Sequence, residues 1–141
     1  MINPHTQKHA RSLQQGDEVI TIAPSSSIDD SQTLNEGKKV LESWGLICRP
    51  ENVSKRFWGY LSGDDVTRQK DLNPPKPASL LICARGGWGA ARLLENPQHW
   101  QAGWILGFSD VTSLLWARLK AGFDGCVHGP LLTSLRLEPA W

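Results

Sequence analysis

Apolar positions along this chain come in short runs, separated by polar, glycine-rich and proline-rich stretches, and the spacing changes from run to run. "EVITIA" (Glu18 to Ala23) is β-branched and mostly apolar, and "PSSS" breaks it, which predicts a strand ending in a turn. From Asp30 to Trp44, the residues Leu34, Val40, Leu41 and Trp44 fall near one helical face, and Gly45 sits where a C-terminal cap belongs. "LIC" (Leu46 to Cys48) is a short second strand. After the polar loop "RPENVSKRFWGYLSG", Ser62 with Asp65 three residues on has the form of a capping box, so a short helix should run to about Leu72. "NPPKP" stops it. "SLLICA" (Ser79 to Ala84) is a continuous apolar run, which suits a strand covered on both faces. "RGGWG" is a loop, and "AARLLE" should begin a helix. Trp104 to Gly107 reads as a fourth strand, Asp110 to Lys120 as a helix and Cys126 to His128 as a fifth strand.

Strand and helix alternate throughout. The expected class is therefore α/β, with a mainly parallel sheet and helices on both faces. Five strands suit the flavodoxin-like order 2-1-3-4-5. Ligands bind such sheets beyond the carboxyl ends of the strands, near the switch between the first and third. Three segments converge there: "PSSS" after strand one, "RGGWG" after strand three and "FSD" after strand four. No internal repeat interrupts the pattern. The expected organisation is a loose arm over residues 1–15 and one domain over 16–141.

Charge narrows the choice of partner. Lysine and arginine number 15 against 14 acidic residues, a balance unlike the basic face that nucleic acid or an anionic membrane usually requires. No apolar stretch approaches the ~20 residues of a membrane span. The polar start, "MINPHTQKHARSLQQGDE", lacks the apolar core of a secretory signal, so a cytoplasmic location is expected. Cys48, Cys83 and Cys126 are far apart and lie in strand-like stretches, the pattern of small buried hydrophobes rather than a metal or disulfide framework. Among the seven tryptophans, Trp58 and Trp88 stand beside glycines in expected loops, where they could line a pocket.

Two stretches could carry chemistry. A sharp strand-to-helix turn at Ser109 would lift its hydroxyl above the sheet and leave unpaired N–H groups at the new helix start. Gly107 and Ser109 match the G-x-S-x-G elbow of hydrolases, but Val111 replaces the second glycine. On spacing alone, the N-cap of the helix is the favoured reading of Ser109. In "ARGGWGAAR" (Ala84 to Arg92), consecutive glycines after a buried strand would let a ligand approach the backbone. The stretch could serve as a phosphate cradle, as half of an oxyanion hole, or as a turn needed for packing. It departs from the dinucleotide fingerprint in position and spacing, and Arg49 rather than an acid ends the second strand. His128 ends the fifth strand at the crevice side. His5 and His9 lie in the arm, and His99 in a loop. No group of histidines, cysteines or carboxylates has metal-ligand spacing, and Asp64 and Asp65 read as helix-start charges.

The segments "GDEVITIAPSSS", "GYLSGDDVTRQKDLN", "ICARGGWGAARLLE", "GFSDVTSLLWA" and "HGP" occur in the order found in LD-carboxypeptidases. The chain after the arm resembles that family of serine peptidases, which includes muramoyltetrapeptide carboxypeptidase and the microcin-immunity peptidases. The resemblance implies a class I glutamine amidotransferase-like three-layer fold. It implies that Ser109 is the nucleophile, with an oxyanion hole made by the backbone N–H of Asp110 and one from the Gly86–Gly87 turn. Arg85, Trp88 and Ser25 become the substrate-binding residues. The implied substrate is a murein tetrapeptide that loses its terminal D-alanine in the cytoplasm, with no metal or organic cofactor. Family members are commonly homodimers.

The family is also about twice as long, and its triad glutamate and histidine lie in a second, carboxyl-terminal domain. No residue here matches them, and the family's HGP histidine, His128 here, is not the triad base. A serine without its base loses several orders of magnitude in rate. The expectation is an amino-terminal domain competent only with its missing partner. A non-catalytic peptide-binding module is the second reading, and a nucleotide-binding domain, favoured only by the glycine loop, is the third.

Overall fold

In the computed structural model, which describes residues 8–136, the apolar runs become five parallel strands: β1 (Glu18–Ile22), β2 (Ile47–Cys48), β3 (Leu80–Cys83), β4 (Trp104–Gly107) and β5 (Cys126–His128). They form one sheet in the order β2-β1-β3-β4-β5. Three α-helices connect them: α1 (Ser31–Ser43), α2 (Asp65–Asp71) and α3 (Thr112–Lys120).

Side-chain alternation along each strand divides the core into two halves, one per face. Val19, Leu80, Ile82, Trp104 and Leu106 point to one side, where they meet Leu34, Val40 and Leu41 of α1 together with Leu132 and Leu135. Ile20, Ile22, Leu81, Cys83 and Ile105 point to the other, against Leu72, Leu93, Leu114 and Leu115. This double coverage is why "SLLICA" has no polar position in its strand.

Local chemistry sets the ends of the helices. Asp30 caps α1 by accepting from the N–H of Gln32, and Gly45 leaves the helix at φ +84°. Asp64 caps α2 by accepting from the N–H of Thr67. The expected cap, Ser62, is instead buried, and its N–H donates to the Ser25 carbonyl at 3.0 Å. "AARLLE" forms only a short 3-10 turn, Ala91–Glu95, because Asn96 turns extended ahead of Pro97.

Of the segment expected to be a loose arm, residues 1–7, with His5, lie outside the described structure. Residues 8–15 are tied across the amino-terminal ends of the strands. The Arg11 guanidinium pairs with Asp17, the Trp104 indole N–H donates to the Arg11 carbonyl at 2.7 Å, and Asp124 accepts from the Ala10 N–H and pairs with His9. Residues 137–141, the end of the expected domain, also lie outside the described structure. No described helix is long and apolar enough to cross a membrane.

Two expected outcomes test this packing. Gly37 lies mid-helix in α1, where an added methyl would overlap the Leu132 carbonyl oxygen and stand 2.7 Å from its Cδ1. On an exposed helix Gly→Ala gains about 1 kcal/mol. Here Gly37→Ala should instead cost roughly 1–3 kcal/mol from overpacking, read as a lower urea midpoint. The second concerns Glu18. Hydrogen bonds from Arg49, then from Lys76, hold its carboxyl down from the ordinary 4.5 to about 2. The unfolded chain therefore binds this proton first as pH falls. The contribution is complete above about pH 4.5 and is lost as pH drops toward 2. The stability gap between the native chain and Arg49→Met, measured by urea unfolding, should accordingly be wider at pH 7 than at pH 2.5.

Candidate active site

The chain turns sharply at the end of β4. Phe108 is extended, and Ser109 then adopts φ +67°, making it the one non-glycine residue at positive φ among the described residues. An L-residue there costs roughly 1–3 kcal/mol and is held only where its surroundings enforce it. The surroundings do so by close packing. At Gly107 a Cβ would lie 2.8 Å from Val111 Cγ2 and 2.9 Å from Cys83 Cβ. The Val111 that departs from the hydrolase elbow pattern is thus the buried wedge under the turn. Ser109–Val111 form a 3-10 turn leading into α3, and no side-chain cap bond is made at either helix start. Ser109 is therefore not the N-cap that its spacing allowed. Its side chain is exposed.

The glycine loop comes directly against this corner. A Cβ on Gly86 would stand 2.8 Å from Ser109 Cβ, 3.0 Å from its hydroxyl oxygen and 3.5 Å from the Asp110 nitrogen. Gly87 is at φ +110°, and a side chain there would collide with the Ser26 hydroxyl. Only glycines let this loop pass so close to the serine. The Asp110 N–H lies in the first turn of the 3-10 segment, where donors lack intrahelical partners.

The Asp110 carboxylate joins all three crevice loops. Its Oδ2 accepts from the Ser25 hydroxyl and from the Ala90 N–H at 2.9 Å. Other bonds reinforce the joint: Trp88 N–H to Ser26 Oγ at 3.0 Å, Ser26 N–H to the Gly86 carbonyl at 3.3 Å, and Arg85 Nη1 to the Ser27 carbonyl at 2.9 Å. Ser25, expected to contact substrate, is fully buried, and its hydroxyl is committed to Asp110. Its neighbours Ser26 and Ser27 line the open space instead. They form a cleft of about 440 Å³ with Asp29, Tyr60, Arg85 and Trp88. Trp88 is 72% exposed, and the Arg85 guanidinium lies 4.0 Å from Asp29. Trp58, although exposed, does not line the cleft.

Among the described residues no histidine is hydrogen-bonded to Ser109. His9 is bound to Asp124, His99 lines a recess beside α2, and His128 packs edge-on against Phe108 with ring centroids 6.2 Å apart. Among the described residues no cluster of His, Cys, Asp and Glu could hold a metal ion. Cys83 lies beneath the elbow, but burial pushes its thiol well above the ordinary range, so it stays protonated. Sequence reasoning missed the Asp110 carboxylate, Ser26, Ser27 and Tyr60. An acid directly after the elbow serine was the one available signal.

The model of the LD-carboxypeptidase N-terminal domain family matches residues 19–129. The chain belongs to this family. It is 42% identical over 137 residues to a Synechocystis protein whose name assigns it provisionally to the carboxypeptidases, covering 92% of this chain and 44% of that one. A solved MccF-like protein from Bacillus anthracis shares the fold at a TM-score of 0.73 and 21% identity, over 89% of this chain and 41% of that chain. A muramoyltetrapeptide carboxypeptidase from Oxalobacter formigenes aligns with a TM-score of 0.64 and 25% identity, over 83% of this chain and 41% of that chain. The chain thus spans less than half the length of these relatives.

The joint at Asp110 makes a direct prediction. Ser25→Ala leaves a part-buried carboxylate one donor short, and should cost about 1–3 kcal/mol in urea unfolding with an unchanged m-value.

Proposed function

We propose that this chain supplies the nucleophile-bearing half of a serine-type LD-carboxypeptidase that releases the terminal D-alanine of murein tetrapeptides in the cytoplasm. The observation carrying this reading is the positive-φ Ser109, exposed at the strand-to-helix corner with Gly86 against it. Strain of this kind is kept where a side chain must be presented in one direction.

In the proposed reaction the Ser109 hydroxyl oxygen attacks the carbonyl carbon of the last peptide bond. The negative charge that develops on the carbonyl oxygen falls toward the Asp110 N–H and an N–H of the Gly86–Gly87 turn, at the positive end of the helix that follows. The leaving D-alanine takes a proton at its nitrogen, and water then cleaves the ester on Ser109. In this reading the base that accepts the serine proton and passes it on is the one the family resemblance implies for the carboxyl-terminal half. The chain alone should accordingly be close to inert toward peptides. Arg85 and Trp88, on the cleft beside Gly86, are the proposed substrate contacts, with Ser25 acting through Asp110.

Peptide binding without turnover is the second reading. It is favoured by the open cleft whose lining of Ser26, Ser27, Asp29, Tyr60, Arg85 and Trp88 does not include Ser109. The two separate in one experiment. The full chain is fused at its end to the carboxyl-terminal half of the Synechocystis relative and incubated with a murein tetrapeptide. D-alanine release is expected, falling at least about a thousandfold in Ser109→Ala. Equal release by both proteins would remove Ser109 from the chemistry. Calorimetric binding of the tetrapeptide with no release by the fusion would favour the binding module.

A further inference from the structure

Among the described residues, the bulkiest side chain that is wholly buried is charged. Arg68, on α2, is 0% exposed. Its Nε donates to the Gly63 carbonyl at 3.1 Å, and its Nη1 donates to the carbonyls of Pro24 at 2.7 Å and Gly89 at 2.8 Å. Its Nη2 pairs with Asp65 at 2.5 Å, and the second oxygen of that carboxylate takes Arg92 at 2.8 Å. A buried guanidinium is costly unless its donors are matched. Here they are matched mainly by backbone, in two separate crevice loops.

The two carbonyls on Nη1 are informative. Gly89 C=O and Ala90 N–H belong to one rigid peptide plane. Arg68 holds the oxygen of that plane, and Asp110 accepts its hydrogen at 2.9 Å. Pro24 C=O begins the peptide that leads into Ser25, the other donor to Asp110. The third acceptor, Gly63, follows Ser62, whose N–H binds the Ser25 carbonyl at 3.0 Å. One flat fork thus orients both groups that fix the Asp110 side chain. Asp110 in turn follows Ser109 in the strained turn.

We propose that Arg68 is a positioning residue for the Ser109 centre, acting through the Gly89–Ala90 peptide and the Pro24–Ser25 loop on the Asp110 carboxylate. Its catalytic consequence rests on the reading of Ser109 as nucleophile. Its effect on the loops does not. Lysine cannot replace it, because a single ammonium lacks the planar spread that reaches several carbonyls at once.

A buried arginine stabilises any fold, so the test needs a matched control. Arg118 is also buried, and it donates to the carbonyls of Gln101, Gly103 and Asp124 at the amino-terminal ends of the strands, away from the crevice. Amide hydrogen exchange is measured on the full chain for Arg68→Lys and Arg118→Lys. In Arg68→Lys, the Ala90 amide should exchange about tenfold faster relative to the Ile82 amide of β3. In Arg118→Lys the two amides should keep their ratio. An unchanged ratio in Arg68→Lys overturns the proposal.

The fusion with the Synechocystis half supplies the second arm. There Arg68→Lys should lower kcat by about 10- to 100-fold with KM within about twofold, whereas Arg118→Lys should keep both. Loss in KM alone, or an unchanged kcat where Ser109→Ala is inactive, overturns the catalytic part. Full activity of Ser109→Ala would instead defeat the nucleophile reading, and the exchange ratio alone would then decide the role of Arg68. Should Arg68→Lys fail to fold, Asp65→Asn keeps the guanidinium but removes its carboxylate. Faster Ala90 exchange relative to Ile82 supports the proposal there, and a constant ratio overturns it.

Discussion

The crevice of this domain depends on one carboxylate. The Asp110 side chain receives a hydroxyl from the first loop and a backbone N–H from the second, while its own backbone forms the third. Loops after parallel strands have no ladder to hold them in register with one another. A charge-accepting oxygen at their meeting point supplies that register, and charge-assisted hydrogen bonds are among the stronger ones available. Without it, the approach of Gly86 to Ser109 would rest on van der Waals contact alone.

The strain at Ser109 follows from the same arrangement. A residue at φ +67° lowers stability, and its neighbours must hold it from several directions. Val111 and Cys83 pack against Gly107 from below, and Gly86 closes from the side. The polar tie at Asp110 lies one residue further on. Apolar packing therefore sets the height of the turn above the sheet, and hydrogen bonding sets its direction. The serine side chain is left exposed above the turn.

Much of the fold was legible in the sequence because it is written in local patterns. Trp104–Gly107 and Cys126–His128 form strands with the bounds their apolar runs suggest, and "SLLICA" reads as a strand buried on both sides. Errors arose where a distant contact outweighed a local preference. Ser62 has the spacing of a helix cap, but the Ser25 carbonyl takes its N–H and burial takes its side chain, so Asp64 caps the helix. "AARLLE" has good helix formers, yet Pro97 ends it within two turns. At this corner, the meeting of the glycine loop with Ser109 could be read from the chain. The backbone angle of Ser109 could not, since Val111 broke the motif that would have announced it. Ser25 is the serine of the three that turns inward, and where Asp110 stands decides which one does.

The segment of residues 8–17 runs beneath the opposite end of the sheet, holding the Trp104 indole, the start of β1 and the turn before β5 together. It acts as a clasp. With that end fastened, the strands cannot fan apart there, and local opening is driven to the far rim, where the loops are joined only through side chains and single amides. The domain is therefore hinged at its base, and the rim that carries Ser109 is the side free to give first.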